Sequence, residues 1–343
     1  MRNIKSIMKN RKPKIVVIVG PTASGKSTLA VQLAKKFNGE IVSADSRQVY
    51  RGMDIGTAKP EVQRTSGLAV ISEGIPHYLI NIKNPDENYT VAEYKRDAIK
   101  AINKIIKKKK LSILVGGTGL YIKAIVDNLN IPKVAPDFKL RKKLEKEIKK
   151  YGLNFVFNKL IKLDPEAAYV IDPNNPRRII RALEIAIKIG KPFSAQCKTG
   201  KPLFNFIEIG IRLSDNILNK RINKRVDLMI KSGLLEEVKN LVKKYGPKQQ
   251  SFDAIGYREI IDFLNGKISL EEATELIKKN TRNYAKRQMT WFKKDPTPEP
   301  QYQSKAQYGA RQVRYGASKR IHWIKNEKEA EKLIKKFLKN NKM

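Results

Sequence analysis

The nine residues "GPTASGKST" (20–28) directly follow the apolar run Ile15-Val16-Val17-Ile18-Val19. An unbroken apolar run of that length suits a strand buried on both faces. The nonapeptide fits G-x-x-x-x-G-K-[ST] through Gly20, Gly25, Lys26 and Ser27, so the chain turns sharply after the strand and enters a helix at once. Apolar Leu29, Leu33 and Ala34 recur at helical spacing between Lys26 and Phe37 and supply that helix. A strand, glycine-rich turn and helix in this order gather backbone N–H groups on phosphate oxygens, with Lys26 as the cation and the Ser27 hydroxyl as a magnesium ligand. Gly20, Pro21, Thr22, Ala23, Ser24, Gly25, Lys26 and Ser27 are therefore the expected diphosphate- or triphosphate-binding residues, and Mg2+ is the expected cofactor.

Further strands are expected at Ile41–Ser43 and Leu111–Val115, with a helix over Val91–Lys107 between them. Alternation of this kind predicts an α/β fold, a P-loop NTPase-like parallel sheet flanked by helices with its sites at the strand carboxyl ends. Near Asn130 the pattern changes. "PDFKLRKKLEKEIKKYG" carries Leu140, Leu144 and Ile148 on one stripe, and "NPRRIIRALEIAIKIG" opens with Pro176 and closes at Gly190. The expected organisation is thus a core in two parts, 14–129 and 191–295, interrupted by a helical insertion domain at 130–190. Strand "FIEIGIRL" (206–213) reopens the core, and helices follow from Ser214, Leu234 and Ser269, the last with a capping box to Glu272. Residues 296–319, rich in Pro, Gln, Gly and Ser, read as a flexible insert, and a strand "IHWI" with a helix from Lys328 to Phe337 ends the chain within 320–343.

Lys and Arg outnumber Asp and Glu by 71 to 33, a formal net charge of +38 on 343 residues. Runs such as Lys107–Lys110 are ordinary solvated helix faces, but a surplus this large points to a polyanionic partner such as nucleic acid. Cys197 stands alone and the only histidines are His77 and His322, which excludes an intramolecular disulfide and disfavours a His- or Cys-based metal site or a Ser-His triad. No apolar stretch approaches a membrane span, and the basic start "MRNIKSIMKNRKPK" lacks the apolar core of a secretion signal, so a cytoplasmic protein is expected.

A nucleotide hydrolase would carry an Asp at the end of a second apolar strand to support magnesium. The 111–115 strand ends instead in Gly116-Gly117-Thr118-Gly119. The carboxylate available at a strand end is Asp45, in "IVSADSRQVYRGMDIGTAKP". Beside the phosphate loop it could accept a proton from a nucleophile or hold magnesium. It could equally cap the turn that follows the strand. On spacing alone both readings stand. Gly56, Thr57 and Lys59 form a second small cationic loop of the kind that is usually only a turn.

The segments "GPTASGKST", "SADSRQVYRGMDIGTAKP", "IPHYLI", "GGTGLYIKAIVDNL", "NPRRIIRALEI", "FDAIGYREI" and "TRNYAKRQMTWFKKD" occur in the order found in tRNA dimethylallyltransferases, which the chain resembles over roughly residues 14 to 295. The resemblance implies transfer of a dimethylallyl group from dimethylallyl diphosphate to the exocyclic amine of the adenosine 3′ to the anticodon (position 37), with the tRNA anticodon stem-loop as partner and a monomer as the acting unit. It implies catalytic roles for Asp45 as base, for Thr118 against the target nucleotide, and for Arg221 on the diphosphate. Without it, Thr118 reads as a turn hydroxyl and Arg221 and Arg225 as a solvated pair. Asp45, Ser46, Arg47, Gln48, Thr118, Arg177, Arg178, Arg181, Gly256, Tyr257, Arg258, Arg282, Lys286, Arg287 and Gln288 are the implied tRNA-binding residues. Departures from the family pattern are the longer connection at 61–74, Tyr78 and Asn81 in place of the usual His and Asp, the 296–319 segment, and the lack of the zinc finger of nuclear–mitochondrial relatives. Rival functions are an adenylate isopentenyltransferase acting on free nucleotide, a P-loop small-molecule kinase, and a non-catalytic RNA-binding module.

Overall fold

A computed structural model describes residues 12–67, 69–132, 134–196, 199–293 and 321–340. The first eleven residues, Cys197 and the 296–319 segment lie outside the described residues.

In chain order the elements are β1 (Lys14–Val19), α1 (Lys26–Lys36), β2 (Gly39–Ser43), β3 (Arg64–Ser66), β4 (Ala69–Ser72), β5 (Ile75–Tyr78), α2 (Val91–Lys107), β6 (Leu111–Gly116) and α3 (Gly119–Val126). A run of helices follows: α4 (Phe138–Tyr151), α5 (Leu153–Leu163), α6 (Ala167–Val170), α7 (Pro176–Ile189) and α8 (Phe193–Gln196). Then come β7 (Asn205–Ile211), α9 (Asp215–Lys231), α10 (Leu234–Tyr245), a 3-10 turn (Gln250–Asp253), α11 (Tyr257–Leu264), α12 (Leu270–Lys293), β8 (His322–Ile324) and α13 (Glu327–Lys339).

The strands form one sheet in the order β3-β4-β5-β2-β6-β1-β7-β8. From β5 to β8 every pairing is parallel, and β3 and β4 add an antiparallel edge. That edge is the long 61–74 connection, which folds as a hairpin and is tied to α1 by Lys35–Glu73 at 3.0 Å. In the sequence 61–74 shows only as a lengthened connection, because its exposed "RTS" and short "AVIS" carry too few residues for a periodic signal.

Ile15 to Val19 are fully buried, each contributing roughly 1.5–3 kcal/mol over an exposed position. Alternate residues serve opposite faces. Ile15, Val17 and Val19 pack with Tyr94, Ala98, Ile102 and Ile105 of α2 and Tyr121, Ile122 and Ile125 of α3. Val16 and Ile18 pack with Leu29, Ala30 and Leu33 of α1 and Ala330 and Ile334 of α13. Helix α2 starts where Thr90 and Glu93 cap each other reciprocally, and α12 starts on the expected Ser269–Glu272 box.

Residue contacts group into two compact units: Asp127–Lys201 is one, and the described residues before and after it make up the other. The smaller unit is helical, with Leu144, Val156, Leu160, Ile179 and Leu183 in its core. It extends past Gly190, where Gly190 (φ 67°) ends α7, because Ser194 at the start of α8 donates to the buried Asp164 carboxylate at 2.7 and 2.8 Å. In the larger unit α9–α12 clamp the segment after Asp45: Val49, Tyr50 and Met53 pack with Val226, Leu234, Val238, Phe252 and Tyr257.

Candidate active site

The loop after β1 turns through Ala23 (φ 62°) and Gly25 (φ 97°) before α1 begins at Lys26. Left-handed backbone is open to Gly and disfavoured for Ala by roughly 1–2 kcal/mol, so the surrounding packing imposes it at Ala23. Two N–H groups of the loop are already used: Thr22 N–H donates to Gln288 Oε1 at 2.8 Å and Ser24 N–H to Pro21 O at 3.3 Å. Lys26 Nζ donates to Pro21 O at 3.2 Å. Burial lowers the Lys26 pKa from 10.5 to about 8, Asp45 opposes the shift and the Arg225 charge adds to it.

The second loop leaves β2 at Ser43. Asp45 Oδ1 accepts the N–H groups of Arg47 (2.8 Å) and Gln48 (3.4 Å), so the turn-capping role is present in the fold. Those bonds orient the carboxylate and occupy one of its oxygens. Ser46 N–H donates to Thr118 Oγ1 at 3.1 Å, and the Thr118 hydroxyl donates to Ser46 Oγ at 3.4 Å. Thr118 follows the turn at the end of β6, where a Cβ on Gly116 would lie 2.1 Å from Ala44 O and one on Gly117 would lie 2.1 Å from Gln288 Nε2. These glycines thus permit backbone-to-backbone and backbone-to-amide contact and hold the two loops together.

Two cavities flank Asp45. One, about 250 Å3, is lined by Gly25, Lys26, Ser27, Gln48, His77 and Arg225 among others. The other, about 310 Å3, is lined by Ser46, Arg47, Val226, Met229, Tyr284 and Arg287. Asp45, Thr22, Thr57, Ala58 and Arg225 line both. A larger cavity of about 740 Å3, lined by Pro21, Arg212, Arg282, Lys286 and Trp323, includes neither Asp45 nor Lys26.

Several expected contacts lie elsewhere. Arg221 is exposed, lines neither cavity beside Asp45, and reaches only Ser24 O at 3.5 Å. Arg225, one helical turn on, donates to Thr22 Oγ1 at 3.3 Å, and burial lowers its pKa. Both arginines thus meet the phosphate loop, Arg221 at Ser24 O and Arg225 at Thr22 Oγ1, and a spacing of four in the sequence does not tell which of them enters the cavity walls. Arg47 is spent on the carbonyls of Gln250 (3.2 Å) and Ser251 (3.1 Å), and Gln48 on Ser43 Oγ and the carbonyls of Thr57 and Ala58.

Lys59 is internal, donating to Tyr50 O, Asp54 Oδ1 and Asn81 Oδ1. The loop it closes is also held by Glu237, which accepts N–H groups from Asp54, Ile55 and Gly56 and the Tyr257 hydroxyl. Tyr257 is therefore fully buried, with no surface for an RNA to touch, while Gly256 lines the 310 Å3 cavity and Arg258 is exposed. On α12, Arg282 is bonded to Asn223 (2.7 Å), Lys286 is exposed, and Arg287 is exposed with its guanidinium 5.8 Å from the Tyr284 ring centre. Gln288 is buried. Sequence reasoning missed Tyr284, although Thr281, Tyr284 and Gln288 share a helical face at spacings of three and four.

In the helical unit Arg177 and Arg178 are exposed in the first turn of α7. Arg181 is turned inward. It pairs with the fully buried Glu184 and donates to Val134 O at 2.9 Å, and Arg141 grips the same carboxylate at 2.8 and 2.9 Å. Burial pushes the Glu184 pKa up, but these bonds win and hold it at about 2.

No group of three His, Cys, Asp or Glu residues suited to a metal occurs among the described residues. The exposed Ser27 hydroxyl and the Asp45 carboxylate line one cavity and are hard oxygen donors, which suits a magnesium ion completing its shell from phosphate and water.

The family model "IPP transferase" matches residues 48–295. Named tRNA dimethylallyltransferases from Acetivibrio thermocellus and Thermoanaerobacter sp. are 48% and 50% identical over 284 and 286 residues, covering 82% of this chain and 88% and 89% of theirs. The tRNA isopentenylpyrophosphate transferase of Bacillus halodurans superposes with a TM-score of 0.63 at 39% identity over 95% of this chain and 96% of that one. A eukaryotic dimethylallyltransferase acting on tRNA superposes with a TM-score of 0.65 at 34% identity over 82% of this chain and 70% of that one. Likeness in residues and in backbone runs together along most of the length, and the chain belongs to the IPP transferase family.

Proposed function

We propose that this chain transfers a dimethylallyl group from dimethylallyl diphosphate to the exocyclic amine of the adenosine 3′ to the anticodon (position 37) of a tRNA, releasing diphosphate. The observation that carries the reading is the position of Asp45 in the wall common to two cavities, one cationic and one lined by Val226, Met229, Tyr284 and Arg287. The first suits a diphosphate and the second an extruded base that stacks and is held by polar edges.

The reacting amine forms a bond to C1 of the donor while the C1–O bond breaks and its electron pair passes to the diphosphate. Lys26 and Arg225 face that growing charge, together with loop N–H groups that Gln288 and Pro21 leave free. Ser27 is the side chain to hold magnesium, which when bound adds neutralisation of the diphosphate. Asp45 Oδ1 is occupied by the Arg47 and Gln48 N–H groups, so Oδ2 is the atom that takes the amine proton. Ser46, held by Thr118, and Arg287 line the second cavity and are the side chains this reading offers to flanking nucleotides of the anticodon stem-loop. Every group invoked comes from one chain, so a monomer suffices, and the cytoplasm is the compartment in which the reading places it. No helix among the described residues is long and apolar enough to cross a membrane.

The test is incubation with unmodified tRNA, magnesium and labelled dimethylallyl diphosphate, with labelled ATP and free AMP in parallel. Label moving from the prenyl donor into RNA supports the proposal. Transfer to AMP and none to tRNA favours an adenylate isopentenyltransferase, and phosphoryl transfer from ATP favours a kinase.

A further inference from the structure

We infer that Gln288 is a positioning residue that sets the distance between the donor's phosphate loop and the loop carrying Asp45. The inference rests on the transfer reaction proposed above. Gln288 lies on α12 and is 6% exposed, which removes it from the surface an RNA could touch. Its carboxamide oxygen accepts Thr22 N–H at 2.8 Å, and its NH2 group donates to Gly117 O at 2.9 Å. Thr22 belongs to the phosphate loop. Gly117 leads into Thr118, whose N–H donates to Ala44 O at 3.2 Å and whose hydroxyl accepts Ser46 N–H at 3.1 Å. The residue between Ala44 and Ser46 is Asp45.

The two loops leave different strands, β1 and β2, with β6 between them in the sheet. Pairing of β1 with β6 ends at Val19 and Gly116, and Gln288 links the two segments beyond that point, while Thr118 N–H and Ala44 O link the β6 and β2 sides. A neutral carboxamide presents an acceptor and a donor in one rigid plane, which is what a free N–H on one side and a free carbonyl on the other require. The absence of a side chain at Gly117 is the other half of the device, since a Cβ there would lie 2.1 Å from Gln288 Nε2. A shift of about 1 Å between donor and base lowers a rate on the order of 100-fold, so a spacer of this kind acts on turnover more than on binding.

Two variants test this with labelled dimethylallyl diphosphate and tRNA. Gln288→Met keeps the volume and loses both bonds. The expected result is a kcat lower by about 10- to 100-fold, KM values for donor and tRNA within about threefold of the wild type, and a melting temperature lowered by only a few degrees as Thr22 N–H and Gly117 O lose their partner. Gln288→Glu keeps the acceptor for Thr22 but turns an oxygen toward Gly117 O, a clash relieved when the carboxyl is protonated and donates again. Its kcat relative to wild type should therefore rise as pH falls from 8 to 6, a readout that packing alone does not move and that holds even if the Met variant is less stable. A wild-type kcat in Gln288→Met, a loss confined to the KM for tRNA, or a pH-independent ratio for Gln288→Glu each overturns the inference. A wild-type chain that transfers no dimethylallyl group overturns the proposed function and the inference with it.

Discussion

Replacing Lys26 by Met should make the free protein more stable while removing its use of the donor. The ammonium sits under its own loop with Pro21 O at 3.2 Å, and burial brings its pKa from 10.5 to about 8. Because the folded value lies below the unfolded one, the unfolded chain holds a proton between about pH 8 and 10.5 that the native chain has released. Stability therefore rises with pH through that window, and below about pH 8 the whole unfavourable contribution is present. At 1.36 kcal/mol per pH unit the gap amounts to about 3 kcal/mol, an upper value because Lys26 keeps some solvent contact. Lys26→Met should accordingly raise the melting temperature at pH 7 by a few degrees. Donor binding moves the other way. A bound diphosphate restores the charge, so above pH 8 the complex must take up a proton; at pH 9 affinity should be about tenfold weaker than at pH 7, with close to one proton absorbed. Calorimetric titration of dimethylallyl diphosphate in buffers of different ionisation enthalpy measures both quantities, and the Met variant should bind weakly at every pH. Wild-type affinity that is flat from pH 7 to 9 without proton uptake would refute the reasoning, as would a Met variant less stable than wild type at pH 7.

Asp45→Asn retains the acceptor for Arg47 N–H but cannot take the amine proton, so single-turnover transfer at saturating donor and tRNA should fall on the order of 100-fold with affinities near normal. Restoration of activity by excess magnesium would instead mark Asp45 as a metal ligand. Arg225→Ala should weaken donor use by about tenfold or more and Arg221→Ala by less than about twofold, as donor titrations on the two variants will show; the reverse order would return the role to Arg221. Neutralising Arg177 and Arg178 together should weaken tRNA binding and flatten its salt dependence, read from binding isotherms at several salt concentrations. Arg181→Ala should chiefly lower the melting temperature, because Glu184 is fully buried and is left with Arg141 as its remaining guanidinium; removing a partner from a buried pair costs up to about 3–5 kcal/mol.

The strand–loop–helix at 14–36 was legible without any tertiary information, since an apolar run, a glycine at each end of the loop and the helical spacing of Leu29, Leu33 and Ala34 leave the chain one local solution. Thr90 before Val91 and Gly152 and Gly190 after their helices mark element ends for the same local reason: each satisfies or terminates backbone groups within a few residues. Asp45 was legible as a candidate because it ends a buried strand, yet the sequence left base, metal ligand and turn cap open, and the fold shows the cap without removing the second oxygen from use. What only the tertiary structure decided is which side chains of a long helix meet which loop. The rotation of α9 puts Arg225 in the walls of both cavities and leaves Arg221 exposed beside Ser24 O. Arg181 was drawn from the surface by Glu184, three residues on along α7, and Tyr257 by Glu237, 20 residues earlier, and no motif marks either partner. Gln288 read as one more polar residue in a basic segment until Thr22 and Gly117, 266 and 171 residues away, were found at its two ends. Local patterns specify how a backbone satisfies itself; the partner of a buried polar side chain is set by the packing of distant elements, and one sequence carries no record of that distance.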